Sequence, residues 1–331
     1  MYWINGQRHD ALAPSDRGLQ FGDGCFTTAR VIDGKIELLP WHLERLQQAA
    51  QRLMLPATDW PAFEREMAQA AESISLGVVK AILTRGSGGR GYSPTGCENP
   101  TRIVARSSYP AHYLQWREQG ITLALSPVAL ARNPLLAGLK HLNRLEQVLI
   151  RAHLDQTAAD EALVLDTAGM LVECCAANLF WRKGKAVFTP DLSQAGVAGL
   201  MRRRVIALLA GSEYRLHCVS EPLETLADAD EVLVSNALMP LLPVNVAQSW
   251  RYHSRQLYDF LRPHCYPWLI DEEKKAEGPV CYCCSGIGAA VLGLPEDRTL
   301  CRYAAGYPAR DYLQTACRHR PGGAGRVTGA R

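Results

Sequence analysis

The sequence predicts a mixed α/β protein built as two domains, and three observations carry that reading. The chain has 331 residues, which at about 100–200 residues per domain suggests two. Short β-rich runs alternate with helical stripes on both sides of a polar stretch at 111–119. Hydrophobic residues make up 47% of the chain, enough for a sizeable core on each side.

The first domain is expected over 1–112. Tyr2-Trp3-Ile4-Asn5-Gly6 reads as a strand entering a turn. Ala29 to Ile32 and Lys35 to Leu39 flank Asp33-Gly34, a pair suited to a tight hairpin turn. Pro40 can occupy the first turn of a helix, and Leu43, Leu46, Ala50 and Leu53 then fall on one helical stripe. Val78 to Thr84 and Arg102 to Ser107 read as strands, with a glycine-dense stretch, Arg85 to Gly91, after the first. A link at 113–120 leads to a second domain over 121–268. Ile121 to Leu125 opens its strand set. Asn143 is placed to cap a helix running to about Gln156, with Glu146 completing a capping box. Ala162 to Asp166, Leu171 to Val172, Asn178 to Trp181 and Glu231 to Ser235 read as strands, and Val197 to Leu209 as a helix.

Composition excludes several classes. Lys and Arg number 36 against 33 Asp and Glu, a net charge of +3, too near neutrality for nucleic acid or an anionic membrane as the main partner. No stretch approaches the length of a membrane span, and no secretory signal is visible at the start, so the expected compartment is the cytoplasm. Of the 11 cysteines, those before residue 270 are irregularly spaced apart from Cys174-Cys175, as reduced thiols are. A compositional change marks 269–331 as an extension expected to be weakly ordered. Cys281 and Cys284 there are spaced like half of a zinc site, with Cys301, Cys317 and His319 as further ligands. Their irregular spacing argues against one, and no metal is expected.

Lys140 stands out in Leu136-Ala137-Gly138-Leu139-Lys140-His141-Leu142-Asn143. It is either a surface lysine between a strand and a helix, or a buried amine. Burial would lower its pKa and make it a nucleophile able to condense with a carbonyl cofactor. Glu173, on the otherwise apolar run Leu171 to Phe180, needs a cationic partner: an arginine, or a protonated ring nitrogen. Arg45 flanks the apolar stripe of its helix and is a surface residue or a phosphate clamp. Gly196-Val197-Ala198-Gly199-Leu200-Met201 reads as a turn into a helix N-terminus, where free N–H groups suit phosphate.

Five segments, in order, resemble fold-type IV pyridoxal-phosphate enzymes, and within that class the bacterial aminodeoxychorismate lyases. They are Phe21 to Arg30, Thr84 to Tyr92, Gly138 to Gln147, Glu173 to Trp181 and Ser235 to Pro240. The resemblance covers about residues 2–265 and implies two α/β domains with pyridoxal 5'-phosphate between them, in a homodimer acting on a small molecule. It implies Lys140 as the lysine that binds the cofactor, Glu173 as partner of its ring nitrogen, and Arg45 with the backbone of Leu200 and Met201 as its phosphate cup. Thr28 and Asn236 then lie beside the reacting carbons, and Arg90 and Tyr92 on a loop that contacts substrate carboxylates in related aminotransferases. The implied reaction takes 4-amino-4-deoxychorismate to 4-aminobenzoate and pyruvate, a step of folate synthesis. A branched-chain or D-amino acid aminotransferase would share Lys140, Glu173 and Arg45, and a non-catalytic phosphate-binding protein would need only the cup.

Overall fold

Residues 2–108 build a six-stranded antiparallel sheet: β1 (Tyr2–Ile4), β2 (Gln7–Arg8), β3 (Gly24–Ile32), β4 (Lys35–Ile36), β5 (Leu76–Thr84) and β6 (Thr101–Ser108), in the order β2-β1-β6-β5-β3-β4. The computed structural model describes residues 1–266. The expected extension at 269–331, with its cysteines, lies outside them.

Asp33-Gly34 does turn a hairpin, with both residues at positive φ, but its first strand begins at Gly24, five residues earlier than the apolar pattern suggested. Strand periodicity then divides β3. Cys25 and Val31 face the helices α2 (Leu39–Arg52) and α3 (Trp60–Ala71), which follow the short α1 (Arg17–Phe21). Phe26, Thr28 and Arg30 face the other way. The buried stripe Leu43, Leu46, Ala49 and Ala50 of α2 packs with Phe63, Met67 and Ala70 of α3 over Val79, Ala81, Leu83 and Val104 of the sheet. Asp59 caps α3 through its side chain, and Trp60-Pro61 occupies the first turn.

The segment expected as a link is largely helical, α4 (His112–Gln119). Beyond it, β7 (Ile121–Leu125), β8 (Glu161–Leu165), β9 (Leu171–Cys174), β10 (Asn178–Lys183), β11 (Ala186–Pro190), β12 (Arg215–Val219), β13 (Glu231–Ser235) and β14 (Leu242–Ala247) form a mixed sheet in the order β12-β11-β10-β13-β14-β7-β8-β9, with β15 (Trp250–Arg251) paired to β14. Helix α5 (Leu145–Leu154) buries Ile150 and Leu154 against Ala162, Val164 and Val172. Helices α6 (Leu200–Ala210) and α7 (Gln256–Cys265) complete the described chain.

The cap of α5 departs from expectation. Arg144 holds the N-cap position without a side-chain capping bond, and Asn143 instead donates to Gly22 O at 3.1 Å. Glu146 accepts from Ala131 N at 2.8 Å. Both side chains are drawn to distant backbone groups, so the local capping box does not form.

Candidate functional site

Two sets of backbone hydrogen bonds fix Lys140 in place. On one side Phe26 N donates to Lys140 O at 2.9 Å and Leu142 N to Gly24 O at 3.0 Å, tying the segment to β3. On the other, Gly138 N donates to Gly196 O and Ala198 N to Gly138 O, at 2.9 and 3.0 Å, tying it to the turn before α6. Gly138 holds φ +80°, which an L side chain rarely adopts. The Lys140 ammonium lies 4.7 Å from the centre of the Phe26 ring. Its pKa is lowered, first by burial and then by the positive charge of Arg45, while Glu173 opposes the shift.

Glu173 is buried near the end of β9. Burial pushes its carboxyl up, and the N–H of Val197, which donates to Oε2 at 2.8 Å, pulls it back. The turn behind it needs glycine: at Gly196, with φ +84°, a Cβ would stand 2.6 Å from Val172 and 3.2 Å from Glu173 Oε2.

Arg45 reaches from α2 to donate to Ala198 O at 2.7 Å, and among the described residues it has no carboxylate partner. Burial lowers its pKa to about 10. Beside it α6 begins at Leu200, and the first-turn N–H groups of a helix have no intrahelical acceptor. Gly199 allows a close approach there, because a Cβ would fall 1.9 Å from Asn178 Oδ1. Asn178, the first residue of β10, holds the turn by donating to Val197 O at 2.9 Å.

These groups meet at a cavity of about 190 Å³ lined by Thr28, Arg45, Lys140, Glu173, Leu200 and Asn236 among others. A second space of about 350 Å³ adjoins it and shares Arg45, Lys140, Gly199 and Leu200. Thr28 faces the cavity because β3 turns alternate residues away from the helical core. Asn236, just after β13, donates to Ala176 O at 2.9 Å and accepts from the N–H groups of Leu238 and Met239 at 2.8 Å each.

Three residues named from the sequence line neither space. Met201 turns its side chain into the protein, leaving only its backbone near the cup. Arg90 and Tyr92 stand on an exposed loop, with Tyr92 88% exposed. Buried Arg17, paired to Asp23 at 2.9 Å, donates to Gly91 O at 2.8 Å and Tyr92 O at 3.3 Å. The glycines of that loop serve its shape: a Cβ on Gly86 would lie 2.0 Å from Asn99 O.

Other lining residues went unread in the sequence, namely Tyr113, Arg144, Gln147, Asn178 and Ser235. Asn178, a polar residue opening an apolar strand, carried the one local signal. Arg144 Nε, Gln147 Oε1 and Ser235 Oγ are buried without a hydrogen-bond partner.

The family model for amino-transferase class IV matches residues 24–247, from the first residue of β3 to the last of β14. The chain belongs to the aminotransferase class IV family. The matched span of this family contains every cavity residue named from the sequence. Among curated relatives, an aminodeoxychorismate lyase from Vibrio harveyi is 41% identical over 246 residues, 74% of this chain and 90% of that one. Among solved structures, 4-amino-4-deoxychorismate lyase from Pseudomonas aeruginosa is 38% identical with a TM-score of 0.75, covering 79% of this chain and 98% of its own. Branched-chain amino acid aminotransferase from Escherichia coli, at 20% identity and a TM-score of 0.70 over 80% of this chain and 92% of its own, shares the class IV fold.

Proposed function

We propose that this class IV protein is a pyridoxal-phosphate-dependent lyase that converts 4-amino-4-deoxychorismate to 4-aminobenzoate and pyruvate, supplying the aminobenzoate part of folate. The observation that carries this reading is the opening of Lys140, Glu173 and Arg45 onto one cavity, in a chain 41% identical to a lyase across 90% of that relative.

The residues present fit the cofactor. Arg45, a cation without a carboxylate partner among the described residues, lies beside the free N–H groups of α6 and suits a phosphate. Glu173 would hold the ring nitrogen and Lys140 the aldehyde carbon. When bound, the cofactor supplies a cationic ring that accepts an electron pair from a substrate carbon.

The protein's own groups then manage two protons. Lys140, with its pKa lowered by burial, takes the proton from the ring carbon that bears nitrogen. Thr28, on the cavity wall at β3, gives a proton to the departing enolpyruvyl oxygen. Asn236 orients the substrate beside the reacting carbons. Arg90 and Tyr92, outside both spaces, keep the substrate-carboxylate role that resemblance to related aminotransferases implies.

The working form is a homodimer. Leu145, Val148 and Leu149 lie at helical spacing on α5 and are 77%, 59% and 53% exposed, an apolar stripe suited to a partner copy. A cytoplasmic setting agrees with the six free cysteines among the described residues. No described helix is long and apolar enough to cross a membrane.

The deciding experiment supplies aminodeoxychorismate without any keto acid and follows 4-aminobenzoate and pyruvate together. Equal yields over many turnovers are expected. Product that stops after one equivalent, and resumes when a keto acid is added, would mark an aminotransferase instead.

A further inference from the structure

We propose that Glu161 is a positioning residue for this reaction: its buried carboxylate fixes the Ala176 peptide and, through it, the Asn236 amide at the cavity wall. The inference rests on the reading above that places Asn236 beside the reacting carbons.

Glu161 is the first residue of β8 and 4% exposed. Among the described residues it has no salt bridge, and a carboxylate buried in that way is costly unless N–H groups satisfy it. Burial pushes its pKa up to about 7, and the backbone N–H groups that meet it pull against that rise. Oε1 accepts from its neighbour Ala162 N at 2.8 Å, and Oε2 accepts from Ala176 N at 3.1 Å. The turn 174–177 closes on itself, with Cys174 N donating to Ala177 O at 2.7 Å, and on β8, with Cys175 N donating to Ala162 O at 3.0 Å. All four residues of this turn line the cavity.

The chain of contacts continues to Asn236. Ala176 O, on the same residue whose N–H meets Glu161, accepts from Asn236 Nδ2 at 2.9 Å. Asn236 Oδ1 is occupied by Leu238 N and Met239 N. The amide therefore has one orientation, nitrogen to the turn and oxygen to the loop. Without the carboxylate, Ala176 N–H loses its acceptor, the turn loses a tie to β8, and the Asn236 amide loses the fixed carbonyl that aims it. No step of the proposed reaction otherwise uses Glu161.

The test uses the cofactor-loaded enzyme and four changes: Glu161→Met, which keeps length without an acceptor; Glu161→Gln, which keeps an acceptor oxygen; Asn236→Ala; and the Glu161→Met, Asn236→Ala pair. Glu161→Ala runs in parallel should the Met variant not fold. Glu161→Met should lower kcat by about tenfold, the scale of one positioning hydrogen bond. KM and cofactor absorbance should hold, and Glu161→Gln should restore kcat to within about twofold. The pair should be no slower than Asn236→Ala alone, because the two act through one contact. Losses that multiply in the pair, or wild-type kcat in both apolar variants, would overturn the role of Glu161. Wild-type kcat in Asn236→Ala would instead defeat the placement of Asn236.

Discussion

Thr28 owes its position to the two-residue repeat of β3, which buries Cys25 and Val31 under α2 and leaves Thr28 on the cavity side. Thr28→Val keeps the β-branched shape and removes the hydroxyl. Cofactor absorbance should be unchanged, and turnover should fall about 10²–10⁴-fold, the usual worth of a positioned proton donor. Retained turnover would remove Thr28 from the chemistry. On the opposite face Thr27 Oγ1 and His42 Nδ1 share a hydrogen bond of 2.6 Å. Burial, then the charge of Arg45, pushes the His42 imidazole down to about 3. Its folded pKa is below the unfolded one, so only the unfolded chain gains this proton as pH falls from about 6.5. Its stability contribution is intact above that pH, and about 2 kcal/mol should be lost by about pH 5. Denaturant unfolding of wild type and His42→Asn across that window checks this, and the difference between them should shrink toward acid. Lys140, Glu173 and Arg45 were legible in the sequence, but each kept a plain alternative. What brings the three to one cavity is the pairing of residue 26 with 140 and of 138 with 196, contacts that no local pattern carries. Arg144 and Gln147 went unread for the same reason, since a polar residue near a helix start looks solvated until its surroundings are known.

At the level of elements, the start of α6 is set by Gly199 and Asn178. A methyl at Gly199 would meet Asn178 Oδ1 at 1.9 Å, so Asn178 would have to swing away and give up its bond to Val197 O. Gly199→Ala should weaken cofactor binding about ten- to a hundredfold, the scale of a lost hydrogen bond plus local overpacking. Titration of apoenzyme with pyridoxal phosphate measures it. Gly211→Ala at the other end of α6, with open space around it, serves as the control. The hairpin at Asp33-Gly34 and the stripe of α2 were plain in the sequence because turn chemistry and helical period are local. The cap at Asn143 was misread because a carbonyl 121 residues away, that of Gly22, claimed its side chain.

For the whole molecule, the sequence separated the two strand sets on either side of α4, since each is continuous along the chain. It did not give their strand orders, which depend on crossovers such as the parallel pairing of β14 with β7. The exposed stripe on α5 carries the prediction at this scale. Val148→Glu would bury a charge at the proposed interface and should weaken association at least about a hundredfold. Sedimentation velocity should find the wild type dimeric and the variant monomeric. A monomeric wild type would leave the stripe without its proposed occupant.

The adjacent thiols in the cavity wall bear on how the enzyme tolerates alkylating reagents. Burial, then the nearby Glu161, holds the Cys175 thiol up at about 12, and burial raises Cys174 further. Neither supplies thiolate at neutral pH, and thiolate is the form that alkylating agents attack. Cys218 is the exposed cysteine among the described residues and lies on β12, outside the cavity lining. Brief iodoacetamide treatment at neutral pH should therefore carboxamidomethylate Cys218 before the other five cysteines of the described residues and leave turnover intact, which peptide mass mapping beside an activity assay would show. Inactivation in step with labelling of Cys175 would contradict this.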